Sequence, residues 1–210
     1  MSSAKSIVIS CAGIGSRLGL GQTKALIKIN GKTIIAHLLE LFKEVEDVRI
    51  VVGYEAQDVI NEVLIYRDDV VFVFNHNYFE TKTGASYYLG AQHANDYVIE
   101  IDGDLLIKPA DMKKILDMEG EFLCFSKITS EDTIFVNINE DGYATGFSRE
   151  KGNYEWTGPI SMHKKNLRYS TENIYIQIEP NLPLRAIEVE AYDIDTYQDY
   201  LTVTQIVKNW

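Results

Sequence analysis

The sequence predicts a three-layer α/β fold in which a mixed, mostly parallel sheet lies between two layers of helices. Three observations predict it. Short apolar runs alternate with helix-period segments through the first half of the chain. The second half changes to closely spaced strand-like runs separated by turn residues. With 210 residues, 46% of them hydrophobic and 24% charged, such a chain buries roughly 70% of its unfolded surface without staples. No linker, repeat or low-complexity tract interrupts it, so residues 1–210 read as one domain.

Each element follows from its local pattern. Residues 5–11 form a short apolar run and read as a buried strand. Residues 33–43 place Ile34, Ile35, Leu38, Leu39 and Phe42 on one side of a helix, and residues 48–52 are the next strand. The cycle repeats with a helix at 56–64, a strand at 70–74, a helix at 84–94 and a fourth strand at 97–101. Right-handed crossovers between such units give a Rossmann-like parallel sheet covered on both faces. Residues 121–126 and 133–138 are further strands, and Glu140-Asp141-Gly142 turns the chain into an antiparallel partner at 143–148. Strands are also expected at 156–162 and 185–191. Residues 196–210 close the chain as a helix, with Tyr200, Val203, Ile206, Val207 and Trp210 at helical spacing.

Charge narrows the function. Against 31 acidic residues there are 20 Lys and Arg, a net charge of −11, which disfavours nucleic acid and anionic lipid as partners. The apolar runs fall far short of the ~18–20 residues of a membrane helix, and the first residues lack a signal-peptide core. A cytoplasmic protein is expected. Cys11 and Cys124, each inside an apolar run, read as buried reduced thiols. The four histidines are too scattered for a structural zinc site.

Three motifs carry chemistry. The first is Cys11-Ala12-Gly13-Ile14-Gly15-Ser16-Arg17-Leu18-Gly19 with Lys24 downstream. Its glycines let backbone N–H groups approach an anion, and its two cations stand out in an acidic chain. Leu18 occupies the third glycine position of a dinucleotide fingerprint, and no Gly-Lys-Ser/Thr of a Walker loop is present. A triphosphate cradle fits best. The second is Asp102-Gly103-Asp104 at the carboxyl end of the fourth strand, where ligands of open α/β sheets gather. Paired carboxylates there call for a compensating cation, and Mg²⁺ accepts one or two of them. The third is Asp193-Ile194-Asp195-Thr196, in which alternation places both carboxylates on one face and Thr196 is a candidate helix cap.

Together these motifs resemble the nucleotidyltransferase family with the GT-A-like α/β fold. Within it, the stretches from Val73 to Tyr78, Ser86 to Leu89, Asn95 to Ile99 and Tyr192 to Tyr200 are similar to bacterial CTP:phosphocholine cytidylyltransferases. The resemblance implies in-line attack of an acceptor phosphate oxygen on the α-phosphorus of an NTP, with pyrophosphate leaving. It implies catalytic roles for Arg17, on the leaving phosphates, and Lys24, between the α-phosphate and the acceptor. It further implies nucleotide contacts from Ala12, Gly13, Gly15, Ser16, Thr83, Gly84, Ala85, Ser86 and Asp102, and Mg²⁺ held by Asp104 and Asp195.

Glu155 and Trp156 resemble the segment that closes over the acceptor. Residues 163–185 do not reproduce the aromatic and acidic insert expected for choline recognition, so a glycerol or other polyol phosphate stands beside phosphocholine as acceptor. The expectation is a Mg²⁺-dependent cytidylyltransferase joining CTP to a small phosphorylated alcohol. The nearest alternative is a sugar-1-phosphate nucleotidylyltransferase using UTP, dTTP or CTP. A glycosyltransferase using the DxD, or a non-catalytic nucleotide-binding domain, is a more distant reading, and a homo-oligomer is compatible with the sequence.

Overall fold

In the computed structural model, which describes residues 4–15, 22–128 and 133–210, β1 (Lys5–Cys11) is apolar on both faces because both are covered. Ile7 and Ile9 point into one core and Val8 into the other, all fully buried. β4 (Asp47–Val52) and β6 (Tyr97–Asp102) flank it in parallel, and β5 (Val71–Phe74) pairs in parallel outside β4. Beyond β6 the sheet turns mixed. β11 (Tyr154–His163) lies antiparallel to both β6 and β8 (Phe122–Ser126). β12 (Leu184–Glu188) runs parallel to β8, and β10 (Tyr143–Ser148) is antiparallel to β12 and to β9 (Phe135–Ile138). The described residues therefore form a nine-stranded sheet in the order β5-β4-β1-β6-β11-β8-β12-β10-β9.

The two cores give the three layers. One holds Ile34, Ile35, Leu38 and Leu39 of α1 (Ile34–Leu41), Val59 and Val63 of α2 (Ala56–Tyr66), Met112 and Ile115 of α4 (Pro109–Asp117), and Val203 of α6 (Tyr197–Ile206). The other holds Tyr87 of α3 (Thr83–Gly90) and Ile174 and Ile178 of α5 (Ile174–Ile178), against Val51, Val98, Leu123 and Ile160 of the sheet. Cys11 and Cys124 are free and buried. No helix among the described residues is long and apolar enough to cross a membrane.

Most elements lie where the pattern places them, and the differences have physical causes. The expected helix at 84–94 ends at Gly90. The buried Arg49 guanidinium of β4 takes the backbone carbonyls of Gln92 (2.7 Å) and His93 (3.0 Å), and His93 adopts φ 59°. The strand expected at 185–191 is two strands: β12 stays in the large sheet, and the chain then leaves it. β13 (Ala191–Asp193) pairs instead with β7 (Leu105–Ile107), a strand too short for periodicity to reveal. A small hairpin of β2 (Lys28–Ile29) and β3 (Lys32–Thr33) is likewise too short for periodicity to reveal. Its Asn30-Gly31 turn has both residues at positive φ, 51° and 87°, as a two-residue hairpin demands.

Candidate active site

The site lies at the carboxyl edge of the parallel strands, where three segments distant in sequence converge. The chain leaves β1 through Gly15, at φ +64°, and returns along a single 3-10 turn, Lys24–Leu26. A Cβ on Gly15 would stand 2.9 Å from Lys24 Cγ, so only glycine lets the two ends of the loop touch. Beside β1, Gly103 lets the end of β6 press onto it: its N–H donates to Ser10 O at 2.9 Å, and a Cβ there would meet Cys11 Sγ at 2.6 Å. The next residue is Asp104. The β7–β13 ribbon supplies the third segment by placing Asp193 opposite Leu105, so the following turn carries Asp195 to Asp104.

Lys24 joins them. Its Nζ donates to Asp104 Oδ2 at 2.6 Å and also to Asp195 Oδ1. Burial works to lower the Lys24 pKa, but the two carboxylates outweigh it and hold the ammonium charged well above its ordinary range. Below this group, the Asp102 carboxyl is pushed up to about 7, first by desolvation and then by Asp104, with Lys24 opposing. Asp102 retains a partly open surface, which fits a narrow cleft rather than a sealed interior. Deeper still, Glu100 is fully buried and neither oxygen has a hydrogen-bond partner. Desolvation, then Asp102, raise its pKa well above the usual carboxyl range. The Ser10 hydroxyl pulls the other way but falls short of hydrogen-bond geometry.

The remaining expected residues fall into four groups. Ala12 is buried with its carbonyl accepting from Tyr54 N–H at 3.1 Å, whereas Gly13 faces open space. Ser16 and Arg17 lie outside the described residues. Thr83, Gly84, Ala85 and Ser86 start α3 at the same sheet edge, but their immediate contacts are internal. Thr83 Oγ1 accepts from Ile174 N–H at 3.2 Å, Gly84 packs on Glu172 O, Ala85 is in the core, and Ser86 Oγ accepts from Asn75 Nδ2 at 3.3 Å. Glu155 and Trp156 sit on β11, where the pairing with β8 shifts register between Trp156 and Ile160. Gly158, at φ +100°, occupies that shift, and a Cβ on it would lie 3.3 Å from Asp102 Oδ2. At about 3.3 Å per residue, Glu155 and Trp156 stand roughly 7–10 Å along the strand from Gly158. Trp156 meets Phe147 edge to face at 5.4 Å, Phe147 meets Tyr175 at 5.8 Å, and the Arg149 guanidinium lies 5.7 Å from the Tyr175 ring centre.

The donor set fits a hard divalent cation. Asp104 and Asp195 converge on one point, and the Lys24 ammonium occupies it as a stand-in cation. Among the described residues no group of three or more His, Cys, Asp or Glu forms a self-sufficient metal cage. Two carboxylates completed by phosphate and water would not form one.

Comparison with known proteins identifies the family. Residues 7–126 match the model of the MobA-like NTP transferase domain. The bifunctional protein GlmU of Sulfurimonas denitrificans is 28% identical over 140 residues, covering 66% of this chain and 30% of that protein. GlmU of Campylobacter hominis is 27% identical over 141 residues with the same coverage, so the chain spans under a third of these relatives' length. Solved structures with the same fold include the CTP:phosphocholine cytidylyltransferase LicC of Streptococcus pneumoniae, at TM-score 0.77, 22% identity and 97% and 99% coverage of this chain and that one. The inositol-1-phosphate CTP transferase of T. maritima reaches TM-score 0.82 at 18% identity, covering 99% and 96%. The UDP-glucose pyrophosphorylase of Acinetobacter baumanii reaches 0.78 at 12%, covering 97% and 92%.

Proposed function

The chain belongs to the MobA-like NTP transferase domain family and is a nucleotidyltransferase, and from that premise we propose that it joins a pyrimidine nucleoside triphosphate to a sugar 1-phosphate or cyclic polyol phosphate. The carrying observation is the Lys24–Asp104–Asp195 centre at the mouth of a glycine loop. In this reading a phosphate oxygen of the acceptor attacks the α-phosphorus, the bond to the β-phosphate bridging oxygen breaks, and pyrophosphate leaves with the electron pair.

Each side chain then has a task. The backbone from Ala12 to Gly15 holds the phosphates, and Arg17 neutralises the leaving pair. Lys24 exchanges its carboxylate partners for the α-phosphate and the incoming acceptor phosphate, and stabilises charge that grows between them. Asp104 and Asp195 would hold Mg²⁺, which would supply positive charge against the phosphates. Asp102, with its partly open surface, faces the nucleoside. Catalysis is positioning and electrostatics, with no covalent enzyme intermediate.

The β11 wall bears on the acceptor. A choline headgroup would need an aromatic face for its ammonium, but Arg149 already supplies a cation to the Tyr175 ring. A second cation would be repelled there, whereas Trp156 and Phe147 suit the apolar face of a sugar or polyol ring, and Glu155 suits its hydroxyls. The expectation of a small alcohol phosphate is therefore extended to ring acceptors, and CTP is one candidate among the pyrimidine nucleotides. The similarity to CTP-dependent and UDP-sugar enzymes alike supports that breadth.

The test is a matrix of four NTPs against sugar 1-phosphates, inositol and glycerol phosphates and phosphocholine, read by pyrophosphate release with and without Mg²⁺. Release with a ring phosphate and a pyrimidine NTP is expected. Turnover with phosphocholine alone would return the acceptor to a small alcohol, and no release with any pair would overturn the reading.

A further inference from the structure

The turn Gly53-Tyr54-Glu55, between β4 and α2, touches both ends of the glycine loop. Tyr54 N–H donates to Ala12 O at 3.1 Å, at the start of the loop, and Gly53 packs so closely there that a Cβ would lie 2.9 Å from the same oxygen. Glu55 Oε2 accepts from the backbone N–H of Thr23 at 2.7 Å, at the end of the loop. Thr23 is 2% exposed and immediately precedes Lys24.

Two features set Glu55 apart from an ordinary turn residue. It holds a left-handed backbone, φ 49° and ψ 36°, which a side chain other than Gly, Asn or Asp seldom adopts. It also stands at the N-cap of α2, where a side-chain oxygen commonly turns back to its own helix, yet its carboxylate makes no such bond. The strained backbone instead aims the carboxylate away from α2 and onto Thr23.

We infer that Glu55 is a positioning residue for nucleotidyl transfer: by accepting the Thr23 N–H it fixes the backbone from which Lys24 reaches the phosphates, while Tyr54 fixes the other end of the same loop. The inference rests on the function proposed above. Within it, Glu55 touches no reacting atom and acts only through the placement of Lys24.

Glu55→Gly separates the carboxylate from the backbone, because glycine takes the left-handed conformation freely and is an acceptable N-cap. Glu55→Gln keeps an acceptor oxygen. The first measurement is amide hydrogen exchange at Thr23, expected to quicken in Glu55→Gly and to stay slow in Glu55→Gln, with melting temperatures of both near the parent. Unchanged exchange in Glu55→Gly overturns the inference. The second is pyrophosphate release with an NTP–acceptor pair that the parent turns over: kcat falls roughly 10- to 100-fold in Glu55→Gly, with KM for NTP little changed and activity retained in Glu55→Gln. Added to Lys24→Ala, Glu55→Gly causes no further loss, which a general structural defect would not reproduce. Full kcat in Glu55→Gly, or additive losses in the double variant, overturns the inference. A parent that transfers nothing refutes the proposed function instead, and Thr23 exchange still decides whether Glu55 anchors the loop.

Discussion

Lys24 donates to Asp104 across 80 residues of sequence, Nζ to Oδ2 at 2.6 Å, and the same ammonium reaches Asp195 across 171. One side chain thus occupies the point on which both proposed cation ligands converge. It follows that Lys24 and a divalent cation compete for the same two carboxylates until nucleotide phosphates draw the lysine away.

Lys24→Ala therefore has two opposite effects. Turnover falls on the order of 10²- to 10³-fold, the usual cost of losing one contact to developing charge. Affinity for Mn²⁺ or Mg²⁺ without nucleotide rises roughly tenfold, the equivalent of one charge-assisted hydrogen bond no longer displaced. Titration calorimetry on the nucleotide-free protein checks the second effect, and unchanged or weaker cation binding would refute the competition.

Asp104→Asn keeps the shape and removes the charge. Nucleotidyl transfer is expected to fall at least 10²-fold, and the rate to lose its saturation with Mg²⁺ over the range that saturates the parent. Circular dichroism should show an intact fold. A variant with parental turnover would remove Asp104 from the site.

Glu100 makes a prediction about stability and pH. Its folded pKa lies well above the ordinary 4.5, because burial and Asp102 disfavour the charged form. Above pH ~4.5 the unfolded chain has released this proton while the folded chain retains it, so stability falls as pH rises from there toward the folded pKa. Glu100→Gln removes that titration. Denaturant unfolding at a series of pH values should show a shallower decline for the variant, which gains on the parent as pH increases. Parallel profiles would show that Glu100 does not titrate in this window.

Gly103→Ala tests the close approach of β6 to β1. The added Cβ would stand 2.6 Å from Cys11 Sγ and 2.8 Å from Ser10 O, and the latter is backbone that cannot turn aside. A loss of about 1–3 kcal/mol, the range for overpacking a tight core, is expected in denaturant unfolding. Gly13→Ala, facing open space, should cost far less.

Much of this was legible in local pattern. The strand at residues 5–11 and that at 143–148 coincide with β1 and β10, because apolar runs and a Glu-Asp-Gly turn are local signals. Thr196 caps α6 as its type suggests, in a reciprocal pair with Asp199. The end of α3 was not legible, since Arg49, 41 residues from Gly90 and on another element, removes the carbonyls that would have continued the helix. β7 and β13 were not legible either. Three residues have no period, and each is a strand only because the other lies beside it.

By itself the sequence determined the fold class, the residue types of the centre and their place at strand ends, because hydrophobic period, glycine and scarce positive charge are properties of short segments. Only the tertiary structure decided that Lys24 lies between Asp104 and Asp195, that Glu100 is buried without a partner, and that Glu55 turns from its own helix to Thr23. These are relations between segments tens to more than a hundred residues apart. Their energies depend on distance and desolvation, which no local pattern encodes.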